Sequence, residues 1–148
     1  MDGEYAFTNT LSLSGNVSLS RNRSIRYSVI DDNGNRAKLD GNPIAGFPDV
    51  LGNLRLTYRN EDVTASVLAK HVGSFYTDNF KKEEHKNDAY AVFNGEVLFR
   101  LPITFLTQFT ARLEVRNIFN TLYFSSGEGN AFFPAAERNF VLGFSASF

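Results

Sequence analysis

The chain has 148 residues at a formal charge of −1, with 15 Phe and 6 Tyr but neither Trp nor Cys. That balance offers no electrostatic footprint for nucleic acid, and the lack of Cys suits a cell envelope as well as many other compartments. Mean hydropathy is −0.23 and no apolar run approaches the roughly 18 residues of a membrane helix, yet a barrel strand needs only about ten alternating residues, so a membrane barrel stays open.

The acidic start Met1-Asp2-Gly3-Glu4 has no leader pattern and leads straight into strand-like sequence, so an exported precursor is expected to begin further upstream. From Leu11 to Leu19 the odd positions Leu11, Leu13, Gly15, Val17 and Leu19 oppose Ser12, Ser14, Asn16, Ser18 and Ser20, and the parity continues through Ile25 and Tyr27 to Val29. Period two predicts a strand with one apolar face. Asp31-Asp32-Asn33-Gly34-Asn35, with Gly41, Pro43, Gly46 and Pro48, predicts a long connection. The second strand is centred on Leu54, Leu56 and Tyr58, against Asn53, Arg55 and Thr57. A tight polar turn, Arg59-Asn60-Glu61-Asp62, leads to the third, in which Val63, Ala65, Val67 and Ala69 oppose Thr64, Ser66 and Lys70, with Leu68 an exception on the polar face.

Between Gly73 and Ala89 the alternation lapses into Phe75, Tyr76, Phe80 and the run Lys81-Lys82-Glu83-Glu84-His85-Lys86, a second long connection. The fourth strand sets Ala91, Phe93, Gly95, Val97, Phe99 and Leu101 against Asn94, Glu96 and Arg100, with Val92 and Leu98 mixed in; Pro102 suits the short link that follows. In the fifth, Phe109, Ala111, Leu113 and Val115 oppose Thr110, Arg112, Glu114 and Arg116. A third long connection runs from Ile118 to Arg138, and the sixth strand places Phe140, Leu142, Phe144, Ala146 and Phe148 on its apolar side.

Connections thus alternate long, short, long, short, long, the signature of an up-and-down antiparallel wall with one loop-bearing rim formed by residues 28–50, 73–89 and 118–138. The apolar faces of the second to sixth strands hold no Asp, Glu, Lys or Arg. Since one Arg or Lys at the mid-plane of a barrel's lipid face costs about 2–4 kcal/mol, such a face is what lipid demands. A soluble two-layer sandwich could also bury it.

The run Glu114-Val115-Arg116-Asn117-Ile118-Phe119-Asn120-Thr121-Leu122-Tyr123, followed by a Gly-containing loop, Pro134, Arg138 and an alternating strand ending in Phe148, resembles the C-terminus of TonB-dependent outer-membrane receptors. The family motif is carried by Asn117, Phe119, Asn120, Tyr123 and Arg138. The upstream segment Gly41 to Pro48 is similar to a loop found earlier in the same barrels. The resemblance implies an all-β, antiparallel, up-and-down transmembrane barrel wall of about six strands. Residues 1–148 would be the C-terminal portion of a larger, 22-stranded type of barrel, without a plug domain. It further implies residence in the bacterial outer membrane and uptake of a scarce ligand such as a ferric siderophore. Implied partners are outer-membrane lipid, the rest of the barrel and its plug, the TonB complex acting through that plug, and the barrel assembly machinery, which recognises a C-terminal aromatic, here Phe148. Arg112, Glu114 and Arg116 would face the lumen. No catalysis, cofactor or nucleic-acid partner is expected. A porin-like channel remains an alternative barrel, and a soluble β-sandwich binding module an alternative of another class.

Other constellations are weaker. His71, Glu83, Glu84 and His85 include metal-ligand types but lack a recognised ligand spacing, and Ser, His and Asp occur without a nucleophile elbow. Asp31 to Asn35 opens like a calcium loop without its closing Glu. Phe75, Tyr76, Phe80, Tyr123, Phe124, Phe132 and Phe133 suit either an interfacial aromatic girdle or a ligand-contacting loop surface, the girdle better for those nearest strand ends.

Overall fold

A computed structural model of the chain describes residues 1–30 and 33–148. Its strands are β1 (Asp2–Ala6), β2 (Leu11–Leu19), β3 (Ser28–Ile30), β4 (Arg36–Lys38), β5 (Val50–Arg59), β6 (Val63–Val72), β7 (Phe75–Tyr76), β8 (Lys86–Asn87), β9 (Tyr90–Leu101), β10 (Gln108–Arg116), β11 (Phe124–Glu128), β12 (Ala131–Pro134) and β13 (Asn139–Ser147), with a 3-10 turn at Glu83–His85. Seven of them form one sheet in the order β1-β2-β5-β6-β9-β10-β13, every neighbouring pair antiparallel. The up-and-down wall expected from the alternation is therefore present, with β1 as an additional strand at one edge. β2 stops at Leu19; the parity that continued to Val29 belongs to an extended segment and to β3, outside the sheet.

Register explains why the pattern was so regular. Leu11 faces Tyr58, Tyr58 faces Ala65, Ala65 faces Val97, Val97 faces Leu113 and Leu113 faces Leu142. Directly opposed residues in an antiparallel pair share a face, so the apolar sets of all seven strands merge into one surface, which includes Gly3 and Tyr5 from β1. That surface holds no Asp, Glu, Lys or Arg, and His71 at its loop-side end is its one titratable imidazole. Leu54, Leu142 and Phe144 on it are 50%, 65% and 65% exposed, and no second layer of the described residues covers it. A two-layer sandwich is not what these residues build.

Two of the short connections, β1-β2 and β5-β6, are held by local polar caps. Thr8 accepts the backbone N–H of Leu11 through Oγ1 at 3.0 Å, and Asn60 Oδ1 accepts those of Asp62 and Val63 at 3.1 and 2.7 Å; short polar side chains bonding to the backbone two or three residues on are what turn a strand back on itself. At the other rim each long connection contains its own hairpin, β3-β4, β7-β8 or β11-β12. The hydrophobic residues that are truly buried, Leu39, Val72, Phe75 and Val92, lie at this rim, where the long connections pack on the sheet ends. The wall itself has no enclosed core.

Candidate functional site

The polar face of the wall carries one continuous charge network. Arg112 Nε donates to Glu96 Oε2 at 2.7 Å, its Nη2 reaches Glu114 Oε2 at 3.1 Å, and Arg116 Nε donates to Glu114 Oε1 at 2.7 Å. The register shows why: Glu114 of β10 stands directly opposite Glu96 of β9. Like charges in that position repel, and Arg112, two residues from Glu114, contacts both carboxylates. Arg112, Glu114 and Arg116 thus share a face opposite the apolar one and act as a unit. Glu96, a member of that unit, was legible as a polar-face residue but not as the partner of Arg112.

Beyond β10 the chain makes a tight turn built on two asparagines. Asn117 and Asn120 hold φ of 54° and 52°, a left-handed conformation that Asn tolerates better than most residues because its side chain can bond locally. Asn117 is 3% exposed. Its Nδ2 donates to the carbonyls of Thr121 at 2.9 Å and Ala136 at 3.3 Å, while its Oδ1 accepts Thr121 N–H at 2.8 Å. Asn120 Oδ1 accepts the backbone N–H of Arg138 at 2.7 Å. The two side chains therefore join the start of the third long connection to its end. Phe119 is exposed on the apolar side, edge-on to Phe93 with centroids 5.1 Å apart, and Tyr123 stacks on Tyr90 at 4.3 Å. Arg138 meets the motif through its backbone and through Nη1, which donates to the Ile118 carbonyl at 3.5 Å; Phe148 stands at the opposite, short-turn end, 94% exposed.

The three long connections are tied together. Between the first and second, Gly46 N–H donates to the Tyr76 carbonyl at 2.8 Å, Asn42 Nδ2 to the Asn79 carbonyl at 3.0 Å, and Ala45 N–H to Asn79 Oδ1 at 2.7 Å. Between the second and third, Thr77, 4% exposed, donates its hydroxyl to the Gly129 carbonyl and accepts Gly129 N–H at its own carbonyl at 3.1 Å. Asn87 Nδ2 bonds the Phe124 carbonyl at 2.9 Å. A Cβ at Gly127 would lie 2.5 Å from Thr77 Cγ2 and 2.7 Å from the Ala131 carbonyl oxygen, so only glycine permits this approach.

An ion pair and a hydrogen bond to a carboxylate stiffen individual connections. Arg23 forks onto Asp49 at 3.0 and 2.7 Å; the guanidinium's hydrogen bonds hold the Asp49 carboxyl below the usual range and raise Arg23 in turn. Tyr76 donates its hydroxyl to Glu83 at 2.6 Å, which lowers the Glu83 carboxyl and raises the phenol. The candidate metal residues do not assemble: His71 stands on β6, His85 pairs with Asp78, and no group of three ligand-type side chains comes together among the described residues. Asp31 and Asp32, the start of the calcium-like run, lie outside the described residues. Nor does every rim aromatic reach a girdle position. Phe75 is 6% exposed and packed inside the rim, and Phe124 lies against Phe132 at 5.2 Å.

No protein-family model and no curated protein matches the chain. Solved structures do. The siderophore receptor PiuA from Acinetobacter baumannii superposes with a TM-score of 0.74 at 17% identity, over 95% of this chain and 20% of that one. The ferric yersiniabactin uptake receptor FyuA from Yersinia pestis gives 0.70 at 14% identity over 97% and 21%, and the copper transporter OprC 0.69 at 17% over 98% and 22%. The chain spans about a fifth of the length of the solved structures it matches. Its wall and loop-bearing rim have the fold of the barrel of TonB-dependent outer-membrane receptors.

Proposed function

We propose that residues 1–148 form the C-terminal part of the barrel of an outer-membrane receptor that takes up a scarce ligand such as a ferric siderophore, with a plug and the TonB complex as partners. In this reading the uncharged face meets lipid, and Glu96, Arg112, Glu114 and Arg116 face the lumen. The rim built from the three long connections is extracellular. Asn117, Phe119, Asn120, Tyr123 and Arg138 hold the last of those connections in shape, and Phe148 belongs to the signal read by the assembly machinery. The reading implies no catalysis.

The observation that carries this reading is the charge-free surface, continuous through the register of seven strands and exposed over most of its large side chains. Hydrocarbon tolerates such a surface and water does not, because an apolar patch of that extent on a soluble monomer is an aggregation surface. The rim supports the orientation: in bacterial outer-membrane barrels the long loops are extracellular and the short turns periplasmic.

Two neighbouring residues on opposite faces test it. In the full-length protein containing this chain, Leu113→Arg is expected to lose most of the folded, membrane-inserted species, measured by heat-modifiable migration of outer-membrane fractions, while Arg112→Leu retains it. Equal losses would remove the assignment of faces.

A further inference from the structure

Between the second and third long connections lies a cavity of about 590 Å³, within the range of small-molecule sites, roughly 300–1,000 Å³. Its walls are aromatic. Tyr90 and Tyr123 overlap with planes 30° apart, and Phe124 and Phe132 pack at 44°. The walls are also anchored, since the Asn87 amide, 4% exposed, donates to the Phe124 carbonyl at 2.9 Å. The cavity therefore needs no large rearrangement to exist.

Charge narrows what fits. Lys86 is the one cation lining the cavity, and its ammonium lies 3.5 Å from Glu83, which offsets it. Asp88 and Glu137 also line the cavity, and among the described residues neither carboxylate has an ion-pair or hydrogen-bond partner. Ring faces carry negative potential and attract cations, and two unpaired carboxylates add to that field. We propose that this cavity is a binding site for a flat, ring-bearing small molecule that is neutral or cationic, and that it discriminates against anionic ring systems. The inference rests on the reading of this rim as the ligand side, and adds to it the chemistry of the ligand.

The test uses the full-length protein in detergent and three bicyclic probes of similar shape: N-methylquinolinium, quinoline and 2-naphthoate, titrated calorimetrically. The cation and the neutral probe are expected to bind at least tenfold tighter than the anion. Asp88→Asn with Glu137→Gln should remove the cation's lead over quinoline and leave quinoline itself within about twofold. Phe132→Leu, which keeps apolar bulk without a ring, should weaken the cation more than the neutral probe. Naphthoate binding as tightly as the cation, or unchanged binding in both variants, would overturn the proposal. A separate arm labels Asn130→Cys, at the exposed tip of the third connection, on intact cells. Failure to label with probe binding preserved would refute the extracellular orientation and not the cavity's chemistry.

Discussion

The wall and the rim of this molecule are built on opposite principles. On the apolar face of the wall, Leu, Val, Phe and Ala alternate with the other face, and backbone ladders supply the bonding; any apolar residue of the right parity meets the requirement. At the rim, side chains bond to distant backbone groups, Asn42, Thr77 and Asn87 across connections and Asn117 and Asn120 between the two ends of the third, and each holds a partner that no different residue type would hold in the same way. The wall is specified by pattern and the rim by identity. Substitutions should accordingly divide by face in the wall and by position in the rim.

The largest effects test both halves of that contrast. Leu113→Arg puts a charge on the apolar face, which under the proposed lipid-facing reading costs about 2–4 kcal/mol near the bilayer mid-plane, whereas Leu113→Met, which conserves volume and polarity, should cost less than about 1.5 kcal/mol. The difference is measurable as denaturant midpoints of the full-length protein refolded into lipid vesicles. At the rim, Asn117→Ala removes a buried amide that makes three hydrogen bonds and leaves in the left-handed conformation a residue without Asn's local side-chain bonding, with an expected loss of about 2–4 kcal/mol of local stability. Asn117→Gly relieves the backbone and loses only the bonds, so it should be the milder of the two. Amide exchange at residues 117–123 decides between them, and equal exchange in both variants would mean that the left-handed φ carries no cost.

Pattern and identity also explain what was legible beforehand. Six of the seven strands of the wall were recoverable because parity is redundant: Leu54 or Val97 could be misjudged alone without disturbing the face. β1 escaped because its apolar side is Gly3 and Tyr5, too few residues to show a period. The hairpins inside the long connections were missed although two carried a signal. Asn33-Gly34 and Gly129-Asn130 are hairpin-turn dipeptides, with φ of 79° at Gly34 and 56° at Gly129. Bonds such as Thr77 to Gly129 left no trace, since their partners are separated by 52 residues and follow no period. The motif Asn117 to Tyr123 was visible as a string, but its work, joining residues 117–120 to 136–138, is visible only in space.

Smaller effects sharpen the same contrast. Gly127→Val would set a β-carbon against Thr77 and the Ala131 carbonyl, separating the second and third connections at a cost of about 1–3 kcal/mol, as overpacking usually does. Gly3→Val, on the edge strand with open space around it, should be neutral within about 0.5 kcal/mol. Proteolytic nicking at residues 124–134 reads the first change, and resistance equal to the parent would break the view of the rim as one tied body. On the polar face, Arg112→Ala leaves Glu96 and Glu114 opposed. Its cost should stay below about 1 kcal/mol because Arg112 is itself half exposed and Arg116 still pairs with Glu114, and Glu96→Gln should recover part of it.

The smallest effect concerns pH and separates a charge clamp from a backbone one. Asp49 is held below its ordinary range by Arg23, so its folded form binds a proton less readily than the unfolded chain. Stability from this pair is then fully present above the unfolded carboxyl value of about 3.9 and is lost as pH falls through the lower folded value. Asp49 is 45% exposed and Arg23 28%, so the contribution is expected to be under about 1 kcal/mol. Ser20 and Ser24 are held to facing parts of the first connection by backbone bonds, to Asp49 and Asn42, that do not titrate. Below the unfolded value of about 3.9 the side-chain clamp should therefore weaken progressively, releasing through the lower folded value, while these bonds persist. Intrinsic-rate-corrected amide exchange of residues 20–24 should rise only a few-fold between pH 6 and pH 3, and Asp49→Asn should show the raised rate at both values. A parent profile flat across that interval would mean that the backbone ribbon alone sets the geometry of the first connection, and would place this part of the rim with the wall, among structures held by pattern.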